Sequence, residues 1–189
     1  MGRWEPDVQR RLRDAALELF EEQGYDHTTV AQIAARAGVT ARTFFRTFAD
    51  KREVLFGGSA LLEQRVADAL AEVDPESPAF DAATTAIGSA FDALGVTRAA
   101  ARRRAAVIAT TAELRERELI KMASLADVVA EGLRHRGTSS TEALLAADSA
   151  AAAMRVAFTR WAGAQRGPSL ADEYRSTVTA LRAVTSTER

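Results

Sequence analysis

Apolar residues recur every three or four positions along nearly the whole chain, which is the spacing of amphipathic helices. No stretch alternates apolar and polar residues as a strand does. Glycines, prolines and short polar runs separate the apolar stretches. The pattern therefore predicts an all-α protein of about nine helices, over residues 7–23, 30–37, 41–48, 51–73, 80–94, 98–109, 110–136, 141–164 and 169–184.

Single residues define several of these predicted boundaries. Lys51 begins one long fourth helix, and Gly95 ends the fifth. Thr110 and Glu113 have the spacing of a capping box at the start of the longest helix. Leu119 lies on an apolar seam of that helix, as in a packed antiparallel bundle.

Residues 29–48 have the pattern of two short helices joined by a glycine turn. Thr29 and Gln32 form a second capping-box spacing, in which each side chain accepts a hydrogen bond from the backbone of the other residue. Gly38 is expected to end the first helix, because the residue beyond a helix commonly needs a left-handed backbone. Thr40 can cap the second helix. This arrangement predicts a helix-turn-helix.

The second of these helices has an inner and an outer side. Phe44 and Phe48 lie four residues apart for the core, which turns Arg42, Thr43, Phe45 and Arg46 outward. Between Thr28 and Arg52 the chain has five basic side chains and one acidic one, a local net charge of +4. A basic helix face of this kind is what attraction to DNA phosphates requires, and a major groove admits such a helix.

The order of helix, GYDHTTV, helix, AGVT, helix and FADKREVL closely resembles the TetR family of bacterial one-component repressors. The resemblance covers roughly residues 8–56 and extends further only through length and helical content. It implies a homodimer whose helix at 41–47 enters the major groove of double-stranded operator DNA. It also implies a DNA-binding domain over residues 1–50, joined by the long fourth helix to a ligand-binding and dimerisation domain over residues 51–189.

The resemblance assigns the DNA contacts residue by residue. Lys51 matches the family's phosphate-binding lysine, and Phe45 stands where the family often has a tyrosine whose hydroxyl reaches a phosphate. The Phe45 ring can still pack on the sugar-phosphate wall or on a thymine methyl. The predicted DNA-binding residues are Thr29, Thr40, Ala41, Arg42, Thr43, Phe45, Arg46 and Lys51.

The last two predicted helices have more apolar and alanine-rich faces than one bundle needs, which is typical of an interface. By analogy with the family, a ligand pocket lies among the fourth, fifth, seventh and eighth helices. Pockets and cores of helical bundles use the same residue types, so plain core packing stays the alternative at each position. The predicted pocket residues are Val66, Ile87, Phe91, Met122, Leu125, Arg155, Phe158 and Trp161. They favour a small hydrophobic effector.

Composition and charge narrow the function further. The net charge of −1 means that a local basic face, not the whole chain, must attract DNA. The chain has no cysteine, its two histidines are far apart, and no catalytic constellation occurs, so we expect no enzyme activity, no cofactor and no metal. The arginines at 98 and 102–104 are interpreted as solvated or salt-bridging, not as a phosphate patch.

No secretory or membrane-spanning apolar run occurs, which predicts a cytoplasmic protein with no membrane partner. These observations together predict a ligand-responsive transcriptional regulator, most simply a repressor that binds a palindromic operator as a homodimer and is released by its effector. The alternative is a helical ligand-binding or protein-interaction module that has lost DNA binding.

Overall fold

A computed structural model of the chain describes residues 5–91 and 96–186. The predicted end of the fifth helix at Gly95 lies outside these residues. The all-α prediction is confirmed: no strand occurs in the described ranges. Their nine α-helices are α1 (Glu5–Gln23), α2 (Val30–Arg36), α3 (Ala41–Thr47), α4 (Ser59–Glu72), α5 (Ala79–Ala90), α6 (Arg98–Thr110), α7 (Ala112–His135), α8 (Ser140–Gly163) and α9 (Leu170–Thr185).

The first of two compact units contains the residues up to Gly58 together with Arg102–Glu118. Leu12, Ile33 and Phe44, from α1, α2 and α3, are completely buried in its core. The end of α6 and the start of α7 complete that core with Val107, Ile108 and Leu114.

Ion pairs also hold the α6–α7 corner in the first unit. Arg103 binds Glu21 of α1, with Nη2 2.7 Å from a carboxylate oxygen, and Arg117 pairs with Glu53. Arg104 donates to the Leu55 carbonyl at 2.9 Å. Arg104 also forms an ion pair with Glu118 at 2.9 Å. The salt-bridging interpretation of this arginine cluster is therefore confirmed for Arg103 and Arg104.

The single fourth helix predicted from Lys51 is wrong. A short 3₁₀ helix, Arg52–Leu55, is followed by a turn, and α4 begins only at Ser59. Gly57 and Gly58 lie in that turn, and two adjacent glycines weaken a helix. A side chain at Gly57 would also place its Cβ 2.5 Å from the Phe48 ring, so the close approach requires glycine.

Two further predictions for α7 are corrected. Thr110 ends α6 instead of capping α7, because its hydroxyl donates to the Val107 carbonyl of the preceding turn. Leu119 is 64% exposed and does not belong to a buried seam. The predicted seam is confirmed further along α7, where Ala126, Val129 and Leu133 are buried, so Leu119 lies before the packed part of the helix.

The second compact unit contains Ser59–Ala101 and the residues from Leu119 onward. Its core is rich in alanine, and fully buried Ala82, Ala86 and Ala150 let α5 and α8 pack closely. Tyr174 of α9 donates its hydroxyl to the Ala150 carbonyl at 3.2 Å, so its buried polar atom has a partner. The boundary at residue 50 between a DNA-binding and a ligand-binding domain stays a prediction, because the two compact units are defined by packing and not by function.

Candidate nucleic-acid interface

The orientation of α3 follows from its cap and its two buried rings. The Thr40 hydroxyl accepts from the Thr43 amide at 3.1 Å, as predicted. Phe44 and Phe48 are buried, and their ring centroids lie 5.6 Å apart. Full burial of one such ring contributes roughly 1.5–3 kcal/mol, which fixes the rotation of this short helix.

The opposite side of α3 is exposed as predicted at Arg42, Phe45 and Arg46, whereas Thr43 is half-buried. Arg42 and Arg46 lie one helical turn apart on the surface. Neither makes an ion pair with any residue in the described ranges. Phe45 is 58% exposed, with its ring edge-on to Phe44 at 5.6 Å. Two guanidinium groups and one aromatic ring therefore face solvent together, available to a partner.

The start of α2 is also built as the sequence predicts. Thr29 and Gln32 form the capping box, with the Gln32 side chain accepting from the Thr29 amide at 2.8 Å. The Thr29 side chain is exposed beside this cap. Thr28, just before it, is almost completely buried and donates its hydroxyl to the Gly24 carbonyl at 2.8 Å.

The local basic charge is smaller than the count along the sequence suggests. Arg36 of α2 makes two hydrogen bonds to Glu22 of α1, at 2.8 and 2.9 Å, and a third to Glu18. The same contact with Arg36 lowers the pKa of Glu22. Arg52 is paired with Asp50 at 2.7 Å, which lowers the pKa of that carboxyl. The free positive charge is therefore concentrated on Arg42 and Arg46.

Lys51 contacts the turn between α1 and α2. Its ammonium donates to the backbone carbonyls of Tyr25 at 2.8 Å and Thr28 at 3.0 Å. It also lies 3.9 Å from the centroid of the Tyr25 ring. The phosphate contact stays a prediction, and in the free protein this ammonium has partners within the chain.

Tyr25 is a supporting residue that sequence reasoning missed. Burial is the main cause that raises the pKa of its phenol to about 12, and Glu113 adds to this. Its ring packs on Phe20, with centroids 5.1 Å apart. Its place directly after the glycine that ends α1, in a turn followed by a capping threonine, was the available signal.

The predicted ligand-binding residues all lie in the second unit, mostly in its core. Val66, Ile87, Phe91, Leu125 and Trp161 are buried, Met122 and Phe158 are partly buried, and Arg155 is exposed on α8. Phe158 and Trp161 lie 5.8 Å apart between ring centroids, and the Arg98 guanidinium lies 5.3 Å from the Trp161 ring.

The second unit also has an open groove with a volume near 470 Å³, lined by residues of α5, α8 and α9 and of the turn before α8. None of the eight predicted ligand-binding residues lines it. The assignment of the pocket therefore stays a prediction.

Together, a capped helix-turn-helix and an outward basic face on its second helix are the features of a DNA-binding unit. The sequence profile described as "Bacterial regulatory proteins, tetR family" matches residues 12–56, the segment from α1 through the 3₁₀ helix. This N-terminal segment matches the TetR family of transcriptional regulators, the family that its sequence pattern predicted.

Known relatives support the same family. The HTH-type transcriptional regulator TcmR of Streptomyces glaucescens is 50% identical over 70 residues, which are 35% of this chain. The chain spans only 30% of the length of TcmR in this match.

Solved structures support the fold over nearly the whole chain. FadR of Thermus thermophilus, a TetR-family repressor in complex with lauroyl-CoA, is 24% identical with a TM-score of 0.53, and the match covers 96% of each chain. The complex of SmeT with triclosan is 20% identical with a TM-score of 0.56, covering 94% of this chain and 90% of the other. SmeT is the repressor of a multidrug efflux pump of Stenotrophomonas maltophilia.

The described residues contain no helix long and apolar enough to cross a membrane. Within the same ranges, no three potential metal-ligating side chains lie together.

Proposed function

We propose that the chain is a homodimeric repressor that reads a palindromic operator with α3 and leaves it when a small hydrophobic effector binds. The observation that carries this proposal is the pair of exposed arginines on α3, Arg42 and Arg46, which have no ion-pair partner in the described part of the chain. A guanidinium presents two parallel donors that match the O6 and N7 acceptors of guanine in the major groove.

The remaining predicted contacts position the protein on the DNA backbone and fit its surface to the groove. Thr29, Thr40 and Thr43 carry hydroxyls at the starts of α2 and α3, where they can reach phosphate oxygens. Phe45 offers an apolar surface to a thymine methyl. Ala41 is exposed at the first position of α3, where a small side chain permits close approach of the backbone to DNA.

A second copy of the chain is proposed to pack against α8 and α9. Three large apolar side chains of α8 are exposed in the single subunit: Leu144, Leu145 and Val156. Val184 of α9 is 80% exposed, close to the exposed small residues Ala180 and Ala183. Apolar faces on two adjacent helices favour burial against an equivalent pair, which forms a four-helix bundle.

The effector is proposed to bind in the second unit and to be largely apolar. The predicted pocket residues there are aromatic or aliphatic apart from Arg155. FadR and SmeT have been solved with lauroyl-CoA and triclosan, respectively, and both ligands have a large apolar part. An effector that binds one arrangement of the dimer more tightly than the other shifts the spacing of the two α3 helices, and the differential affinity sets the response.

The effector is tested by the emission of Trp161, whose ring lies beside Phe158 and Arg98. In a Trp4→Phe background Trp161 is the only tryptophan, since the chain has two. A library of apolar metabolites is screened for emission changes, and each hit is tested for release of operator DNA. Hits that change emission and release DNA over the same concentration range support the proposal, whereas hits that never release DNA contradict the switch.

The second candidate function is a ligand-binding module without DNA binding, which Phe45 favours because it lacks the hydroxyl of the tyrosine often found there. Footprinting on DNA flanking the chain's own gene separates the two. The regulator protects a symmetric site, and the module protects none.

A further inference from the structure

The ammonium of Lys51 is almost fully used within the first unit. An ammonium has three N–H donors and no acceptor. Two of its contacts are hydrogen bonds to the carbonyls of Tyr25 and Thr28, at 2.8 and 3.0 Å. A third is the face of the Tyr25 ring, 3.9 Å from Nζ to the centroid, a distance at which the ring attracts a cation. To bind a phosphate, the ammonium would have to give up some of these contacts.

The two carbonyls belong to the turn between α1 and α2. Lys51 reaches them from 26 and 23 residues further along the chain. Other bonds in the turn are local: the Thr28 amide donates to the Tyr25 carbonyl at 3.2 Å, and Gln23 donates to the His27 carbonyl at 3.0 Å. The lysine therefore adds a long-range connection to a turn that the local hydrogen bonds described above also hold.

This connection joins the two ends of the helix-turn-helix. Thr28 directly precedes the Thr29 cap of α2, and Lys51 follows α3 by only a few residues. Between these ends, α2 and α3 pack against each other across the Gly38 turn. A bond between the chain before α2 and the chain after α3 limits how both helices can tilt.

We propose that Lys51 is a positioning residue that clamps the α1–α2 turn and thereby fixes α3 for base reading, instead of contacting phosphate itself. The proposal rests on the proposed reading of an operator by α3. It predicts that loss of the clamp reduces discrimination between sequences, because base contacts need a fixed helix whereas general phosphate attraction does not.

The test compares Lys51→Met with Arg52→Met. Both variants remove one positive charge from adjacent positions, but the guanidinium of Arg52 donates to Asp50 and not to the carbonyls of Tyr25 and Thr28 that Lys51 binds. Affinity is measured for the duplex protected in the footprint and for a random duplex of the same length, over a series of salt concentrations. Thermal melting of each free variant is recorded in parallel.

We expect Lys51→Met to lower the ratio of specific to random affinity about tenfold relative to Arg52→Met, with an unchanged salt slope. Equal weakening on both duplexes, with the salt slope reduced by about one, is the signature of a phosphate contact and overturns the proposal. A lower melting temperature with unchanged discrimination shows a purely structural role and also overturns it.

A second variant pair keeps the test decisive if Lys51→Met does not fold. Tyr25→Leu removes the ring but keeps the lysine charge, and Tyr25→Phe keeps the ring. The clamp predicts reduced discrimination for Tyr25→Leu and wild-type behaviour for Tyr25→Phe. Wild-type discrimination in both contradicts it.

Failure of the proposed function is recognised separately. In that case the wild-type chain itself prefers no duplex. Failure of the clamp alone instead leaves the wild type selective and Lys51→Met as selective as Arg52→Met.

Discussion

Arg42 and Arg46 are the side chains on which the proposed operator binding should depend most. Both are exposed on α3, and neither has an ion-pair partner among residues 5–91 and 96–186. We expect Arg42→Ala and Arg46→Ala each to cost roughly 1–3 kcal/mol of specific binding where the contact is a bidentate base pair. Binding is measured on the protected duplex, and circular dichroism checks that each variant is folded.

Arg36→Ala is the matched control for these two variants. It also removes one arginine from the helix-turn-helix, but this arginine is already bound to Glu22 and Glu18. Its effect on specific affinity should be much smaller. If the α3 variants bind as tightly as the wild type, α3 is not the reading helix.

The two tyrosines give a pH dependence with a defined sign. Burial raises the pKa of Tyr25 to about 12 and raises the pKa of Tyr174 further. Above about pH 10 the unfolded chain loses phenolic protons that the folded chain keeps, so the free energy of unfolding falls as pH rises past that point. Tyrosinate absorbance should stay low until the helical circular dichroism signal is lost. Ionisation of either tyrosine near pH 10 in the folded protein would contradict this environment.

Sequence reasoning predicted which α3 side chains face outward, but not which charges are free. The two rings at Phe44 and Phe48 fix the helix face through local spacing, so Arg42, Phe45 and Arg46 could be placed from the sequence. The partners of Arg36 and Lys51 lie 14–18 and 23–26 residues away. Such pairs depend on how α1 packs, and no local pattern carries that information.

The turn between α2 and α3 depends on Gly38, whose φ of +68° is left-handed. A Cβ there would meet no atom closer than 3.8 Å, so the cost of a side chain is a backbone cost. We expect Gly38→Ala to lower the free energy of unfolding by about 1–2 kcal/mol. Urea denaturation monitored by circular dichroism measures it.

Gly58→Ala is the control for this element. The position has open space around it and no left-handed backbone, so the substitution should leave stability unchanged or raise it slightly. Equal destabilisation by both variants would contradict the role given to Gly38.

The sequence predicts a helix end correctly where the capping side chain lies close to its partner along the chain. The prediction fails where packing between distant residues determines the helix end. The caps of α2 and α3 involve side chains three residues from their partners, and both formed as predicted. The predicted fourth helix runs through Gly57 and Gly58, whereas the chain turns there. Two adjacent glycines weaken a helix, and the close approach of the Phe48 ring to Gly57 is seen only in the structure.

At the level of the whole molecule, the proposed dimer is tested by placing a charge on the exposed face of α8. Leu144 is 46% exposed in the single subunit, so Leu144→Arg should leave the subunit folded and dissociate the dimer. Leu61→Arg, at a 51% exposed leucine of α4, should leave both fold and dimer intact. Sedimentation of the wild type as a monomer at micromolar concentration would contradict the dimer.

The position of the charged substitution matters because the alanines of α8 lie both inside the subunit and on its surface. Ala150 is completely buried within the subunit, and Val178 is almost so. An arginine at either position should unfold the subunit and cannot report on the interface. The sequence could not separate the two sides, since alanine occurs on both and its size suits a core and an interface equally.

The most direct test of the proposed operator binding measures the affinity of the wild-type chain for the footprinted duplex at a series of salt concentrations. The same measurement is made on the Arg42→Ala, Arg46→Ala double variant. A dimer that places two α3 helices in successive major grooves should protect half-sites about 34–36 Å apart. The logarithm of its affinity should fall steeply with the logarithm of salt concentration, with a slope of roughly −0.9 per neutralised phosphate. The double variant should lose its preference for that duplex. A wild-type chain that prefers no duplex, or whose affinity does not change with salt, would contradict the proposed function.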